Sequence, residues 1–200
     1  MIDENEFKSL IALLDDSDSI VRDAVTNRLR SEGISIVPRL ENVWQANTGR
    51  QLTDLVGHLI HDIKVDSVIT ELLSWRKTAP DNLLKGLSIL NHMMYPYVEY
   101  ETLDKTVSDI CKPIWIELND NLTAVEKVRI LNHFFYDVHR FAVDNPSISP
   151  IDLSTAPMPS FFISTLINSR HAYRDVVVAL YAVVAQRLGL PIRCIPGLSL

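Results

Sequence analysis

The chain has 200 residues, 47% of them hydrophobic, a formal net charge of -6 and a sequence pI near 5.5. That length and apolar content suffice for one large domain or two small ones, and the acidic balance runs against a general nucleic-acid binder, which presents a basic face. The acidic, polar opening "MIDENEFKSL" is no secretory signal, no apolar run approaches the roughly 18–20 residues that cross a bilayer, and Cys111 and Cys194 form neither a disulfide framework nor a paired metal motif. Together these features predict a soluble, reduced, cytoplasmic protein without nucleic-acid or membrane partners and without a cofactor.

In "EFKSLIALLDD", Phe7, Leu10, Ile11 and Leu14 recur at helical spacing. "DDSDS" breaks this helix, and Ser17 or Asp18 is placed to cap the next. "SIVRDAVTNRLRSEG" sets Ile20, Val21, Ala24, Val25 and Leu29 on one stripe and stops at Gly33. "ISIVPRLENVW" follows, with Pro38 tolerated in a first helical turn because its missing N–H has no partner to lose. With its Asp-rich turn, Val-Arg start and terminal Gly, the stretch 6–45 resembles a HEAT-type repeat. No second copy is visible, and stacked repeats need three or more units, so this pair is expected to dock on the rest of the protein.

Further helices are predicted over 48–63, 65–78, 81–94, 101–118, 123–143, 160–169 and 173–188. Asp81 is placed to cap "NLLKGLSILNHMM", and "YP" at 95–96 ends it. Thr123 and Glu126 form a capping box before an amphipathic run. "DNPSISPIDLSTAPMPS", from Asp144, has four prolines and little periodicity and reads as a long ordered loop or a linker. "PIRCI" near the end reads as a strand. The fold class is therefore mainly α (α+β at most), with a helical region over 1–120 and a second helical core over 121–200 that ends in a strand.

The most legible stretch is "ALYAVVAQRLGLPIRCIPG", residues 179–197: a buried helix, a Gly189 stop and a strand. "LYAVVAQRLGLP" from Leu180 to Pro191, "GLPIRCIPG" from Gly189 to Gly197 and the helical region before them resemble the transglutaminase-like superfamily, and within it the bacterial SirB-type branch. The resemblance implies a papain-like arrangement, with a catalytic Cys at the N-terminus of the buried helix and a His and an acid from later strands. Such a placement suits the chemistry, because a helix N-terminus and a nearby His both lower a thiol pKa. Counting back from the "GLP" turn puts the Cys position near Arg174, in "HAYRDVVV", and no Cys, Ser or Thr occurs from His171 to Ala185. The SirB-type "PGH" reads "PGL", so Leu198 stands in place of the His. Arg174, Asp175 and Leu198 then mark a vestigial site, in a non-catalytic protein that serves as a binding or scaffolding module for a protein partner. The alternative is a papain-like cysteine hydrolase or transferase whose site is unrecognised or lies partly beyond residue 200. The chain stops about where further strands of such a fold begin, so either it is a piece of a longer sequence or its fold closes differently.

Other residues carry a bland reading beside a functional one. Cys111 and Cys194 each read as a small buried hydrophobe before a nucleophile. His58, His61 and Asp62 in "HLIHD" share a helix face at metal-ligand spacing, which suggests a metal-dependent hydrolase; the bland reading is an exposed polar stripe opposite Leu55, Leu59 and Ile63. "LNHFFYDVHRF" holds His133, Tyr136, Asp137, His139 and Arg140, with His133 and Asp137 spaced to pair and Phe134, Phe135, Val138 and Phe141 as core. Met93, Met94, Tyr95, Tyr97 and Tyr100 read as packing first and as an interaction surface second. Arg174 is expected to pair with Asp175, which suits the helix dipole. A His139 or His171 facing a Cys would turn the reading back to an enzyme.

Overall fold

A computed structural model describes residues 2–46, 49–144 and 158–192. The expected strand beyond Ile192, with Cys194 and Leu198, and most of the Pro-rich stretch after Asp144 lie outside the described residues. Within them the chain is mainly α-helical, as the patterns predict, and it forms two compact units, Met1–Leu73 and Ser74–Leu200. No helix among the described residues is long and apolar enough to cross a membrane.

The first unit contains α1 (Glu4–Leu13), α2 (Ser19–Arg30), a 3-10 turn (Gly33–Ile36), α3 (Val37–Ala46) and the first part of α4 (Arg50–Thr78). Asp3 caps α1, its carboxylate accepting from the Glu6 N–H at 2.8 Å, and Asp18 caps α2 through the Ile20 N–H at 2.9 Å. Phe7, Leu14, Val25, Leu29, Leu40 and Val56 anchor its core. On α2 the inward stripe is narrower than the sequence suggests. Val21, Val25 and Leu29 follow at steps of four, whereas Ile20 (77% exposed) and Ala24 lie about 100° round the helix and face water. Arg28 ties α1 to α2 by pairing with Glu6 (2.9 Å) and Glu32 (2.7 Å). Arg39 donates to the Ile2 carbonyl (2.9 Å) and Glu4 (2.8 Å) and lies 4.0 Å above the Phe7 ring.

α4 is one 29-residue helix, not two over 48–63 and 65–78. Lys64, at the expected break, continues the helix and reaches Glu41 at 2.9 Å, so its charge is satisfied without interrupting the backbone.

The second unit is built on α9 (Arg174–Arg187). Its Val176, Val177, Leu180, Ala182, Val183, Val184 and Ala185 are all buried, the mark of an interior helix. Around it stand α5 (Leu83–Asn91), α6 (Tyr100–Glu117), α7 (Ala124–Asn132) and α8 (Ile163–Ser169), whose Val107, Ile114, Leu131 and Leu166 complete the core. Asn82 rather than Asp81 caps α5, accepting from the Lys85 N–H at 3.0 Å. At Gly86 the helix meets the Trp75 indole so closely that a Cβ would lie 2.8 Å from Cζ2, and Trp75 Nε1 donates to the Asn82 carbonyl at 2.9 Å. The Thr123–Glu126 capping box forms as expected.

The helix expected over 123–143 does not run through. After Asn132 it loosens into a π-helical segment, His133–Val138, closed by the His139 N–H on the Phe134 carbonyl at 2.8 Å. The wider turn sends Phe135 and Phe141 into the core and leaves Val138 51% exposed, against its expected core place. Arg140 then turns through a left-handed conformation (φ 58°), and the chain enters β1 (Ala142–Val143). β1 pairs in parallel with β2 (His171–Ala172), Ala142 opposite His171 and Val143 opposite Ala172. A 3-10 turn (Met158–Phe161) precedes α8, whose first turn is capped from α5: the Ser164 N–H donates to Asn91 Oδ1 at 3.1 Å in the interior.

Candidate functional site

The start of α9 is the region in which the resemblance implies a nucleophile. Tyr173 precedes it, with its N–H on the Ser160 carbonyl at 2.9 Å and its ring 5.0 Å from Phe161, and it is buried. Arg174 turns back to Asp175, Nε to Oδ1 at 3.7 Å, with both side chains well exposed. A guanidinium paired with a carboxylate can bind charge but cannot attack a carbonyl.

The two imidazoles in this unit that could have faced a thiol are engaged elsewhere. His171 Nδ1 lies 3.0 Å from the Ser169 carbonyl. The His139 ring stacks on Phe141, centroids 5.8 Å apart and planes 26° apart. Burial first, then the Arg170 charge, push its pKa below the usual value.

Cys111 lies at the other end of the core helix. It is buried on α6 beside Arg187, and burial pushes its thiol up to about 11 although the Arg187 charge pulls the other way. Thirteen helical rises between Arg174 and Arg187 span about 20 Å. With Trp115, Ile116 and Leu188, Cys111 lines an open apolar groove of about 490 Å³, whose rim Trp115 and Ile116 are 70% and 73% exposed. Arg187 is fixed there by Ser108 Oγ (2.6 Å), the Asp104 carbonyl (3.0 Å) and the Asp104 carboxylate.

The remaining candidates are scattered. His133 and Asp137 pair at 3.0 Å, as their spacing predicts, exposed beside a groove of about 430 Å³ that includes Glu117 and Arg129. His58, His61 and Asp62 stand exposed on α4, with Leu59 and Ile63 buried on its other side, and Asp62 lies 3.7 Å from Arg30. Among the described residues no three His, Cys, Asp or Glu converge as metal ligands. The tyrosine and methionine cluster divides: Tyr95 bonds Thr165 at 2.8 Å and meets Phe162 edge-on, while Tyr97 is 87% exposed. Sequence reasoning missed Arg170 altogether, and it missed the left-handed turn at Arg140. Such turns are normally signalled by Gly or Asn, so an arginine gives no warning.

Residues 101–196 match the family model described as the transglutaminase-like superfamily. The span takes in α6 to α9, so the second unit carries a transglutaminase-like segment. No curated protein and no solved structure matches the chain.

Proposed function

We propose that this chain is a non-catalytic transglutaminase-like protein that works as a binding or scaffolding module for a protein partner. In this reading the second unit is of the SirB-type branch, the helix pair at the front is HEAT-like, and the protein is bacterial and cytoplasmic. One observation supports the proposal: Arg174, ion-paired to Asp175, opens α9, and the resemblance expects a nucleophile near it. The core helix around that position is kept whole, which supports a retained fold with a changed task.

Thiol labelling tests it. With the Cys111 thiol at about 11, the reactive thiolate at pH 7.5 is roughly 300-fold scarcer than for an ordinary cysteine near 8.5, before burial adds its own protection. In a Cys194→Ser variant, the labelling rate should climb about tenfold per pH unit until near 11. A plateau below pH 8 in that variant, or at Cys194 in a Cys111→Ser variant, would favour a cysteine hydrolase and sink the non-catalytic reading.

A further inference from the structure

Among the described residues, four take a positive φ: Gly33, Gly189, Arg140 and Arg170. The first two are glycines, which adopt this conformation without strain. The other two are arginines, at 58° and 68°, where a glycine would serve the backbone better. Both arginines stand at one place. Arg170 immediately precedes β2, and Arg140 stands two residues before β1; these strands pair with each other, the Ala142 N–H donating to the Arg170 carbonyl at 2.9 Å. Backbone strain kept at two neighbouring positions, each with a long cationic side chain, points to a use for the side chains.

The surroundings fit that use. Among the described residues, neither guanidinium meets a carboxylate, a state shared with Arg22, Arg50, Arg76 and Arg129, while Arg28, Arg30, Arg39, Arg174 and Arg187 are ion-paired. The Arg170 guanidinium rests 5.0 Å above the Phe141 ring, which orients it without occupying its N–H donors. His139 stacks on the same ring, and its buried Nε2 has no partner among the described residues. His171 is steered by Ser169, and Asp137, three residues before Arg140 in the chain, is taken up by His133. Asp144 stands at the far end of β1.

We propose that the start of the β1–β2 ladder is an oxyanion site, in which Arg140 and Arg170 receive one carboxylate or phosphate group with His139 and His171 at its edge. A planar guanidinium fork suits both kinds of group, and two of them carried on backbone that the Ala142–Arg170 hydrogen bond joins favour, in this proposal, one doubly contacted ligand over scattered counterions. The site lies on β2, just ahead of the start of α9, but binding an oxyanion there calls for no nucleophile, so it stands or falls independently of whether one exists.

The test is a titration of the whole chain with inorganic phosphate and, separately, with acetate at constant ionic strength, followed by NMR of the arginine Nε–H and histidine ring signals. Saturable shifts at Arg140, Arg170, His139 and His171, with His58 unmoved, are expected in at least one arm. A stronger response to phosphate identifies a phosphorylated ligand, and a stronger response to acetate a carboxylate. Arg140→Gly and Arg170→Gly should each weaken binding at least about tenfold, while the unfolding midpoint of Arg140→Gly holds or rises because the strain is relieved. Linear shifts in both arms, or glycine variants that bind like the wild type, would overturn the proposal.

Discussion

Replacing Gly86 by alanine sets two opposed effects against each other. In a helix interior, alanine is favoured over glycine by about 1 kcal/mol. The new Cβ, however, would lie 2.8 Å from Trp75 Cζ2 and 3.0 and 3.1 Å from two further ring atoms. Carbon contacts are comfortable at about 3.5–4.0 Å, so the indole must retreat by most of an ångström. That movement stretches the bond from Nε1 to the Asn82 carbonyl, now 2.9 Å and worth about 1 kcal/mol, and adds about 1–3 kcal/mol of overpacking. The net is a loss of about 1–3 kcal/mol, or roughly 3–15 °C in the unfolding midpoint for a unit of this size. Circular dichroism melts of the four members of a Gly86→Ala, Trp75→Ala cycle separate the two effects. In the Trp75→Ala background the obstacle is gone, and the same substitution should stabilise by about 1 kcal/mol. If Gly86→Ala raises the midpoint equally in both backgrounds, the indole is not the obstacle and the reasoning fails.

Leu180 is fully buried at the middle of α9, so Leu180→Ala should cost about 2–5 kcal/mol in urea unfolding; a cost under about 0.5 kcal/mol would mean α9 is not the centre of the core. The Asp104 carboxyl is held below the usual carboxylate range, chiefly by the Arg187 hydrogen bond and then by the Arg187 charge. Because its folded pKa is depressed, its contribution is complete above about pH 4 and is lost as pH falls through the folded value. Both side chains are near one third exposed, so Asp104→Asn should cost no more than about 1 kcal/mol at pH 7, and the gap to wild type should narrow as pH falls below about 4; a gap independent of pH would rule the ion pair out as its source.

The parts that were legible in the sequence are those where one local rule decides. α9, expected over 173–188, runs 174–187, because apolar residues on every side leave only the interior for it and Gly189 (φ 70°) can stop it. Thr123 and Glu126 announced their capping box, and the pairings of His133 with Asp137 and of Arg174 with Asp175 follow from sequence proximity. What stayed hidden depends on contacts far along the chain. The π turn after Asn132 keeps a helical pattern, and only the need to seat both Phe135 and Phe141 shows that the register has slipped. β1 and β2 are two residues each, too short for any periodicity, and they exist because their partners lie 29 positions apart. For the same reason the meeting of Arg170 and His139 on the Phe141 ring could not be read: it joins residues about 30 positions apart.

α8 has seven residues, too few to hold its own first turn in water. The Phe162 side chain before it offers no cap, and the acceptor for the Ser164 N–H is Asn91, 73 positions earlier. The helix therefore gains its cap only when a long loop has closed, which places it among the late, non-local events of folding. Once formed, it cannot fray alone without stranding a buried amide donor in the interior. Hydrogen exchange at the Ser164 N–H is therefore expected to follow the parting of α8 from α5 rather than local fraying of α8.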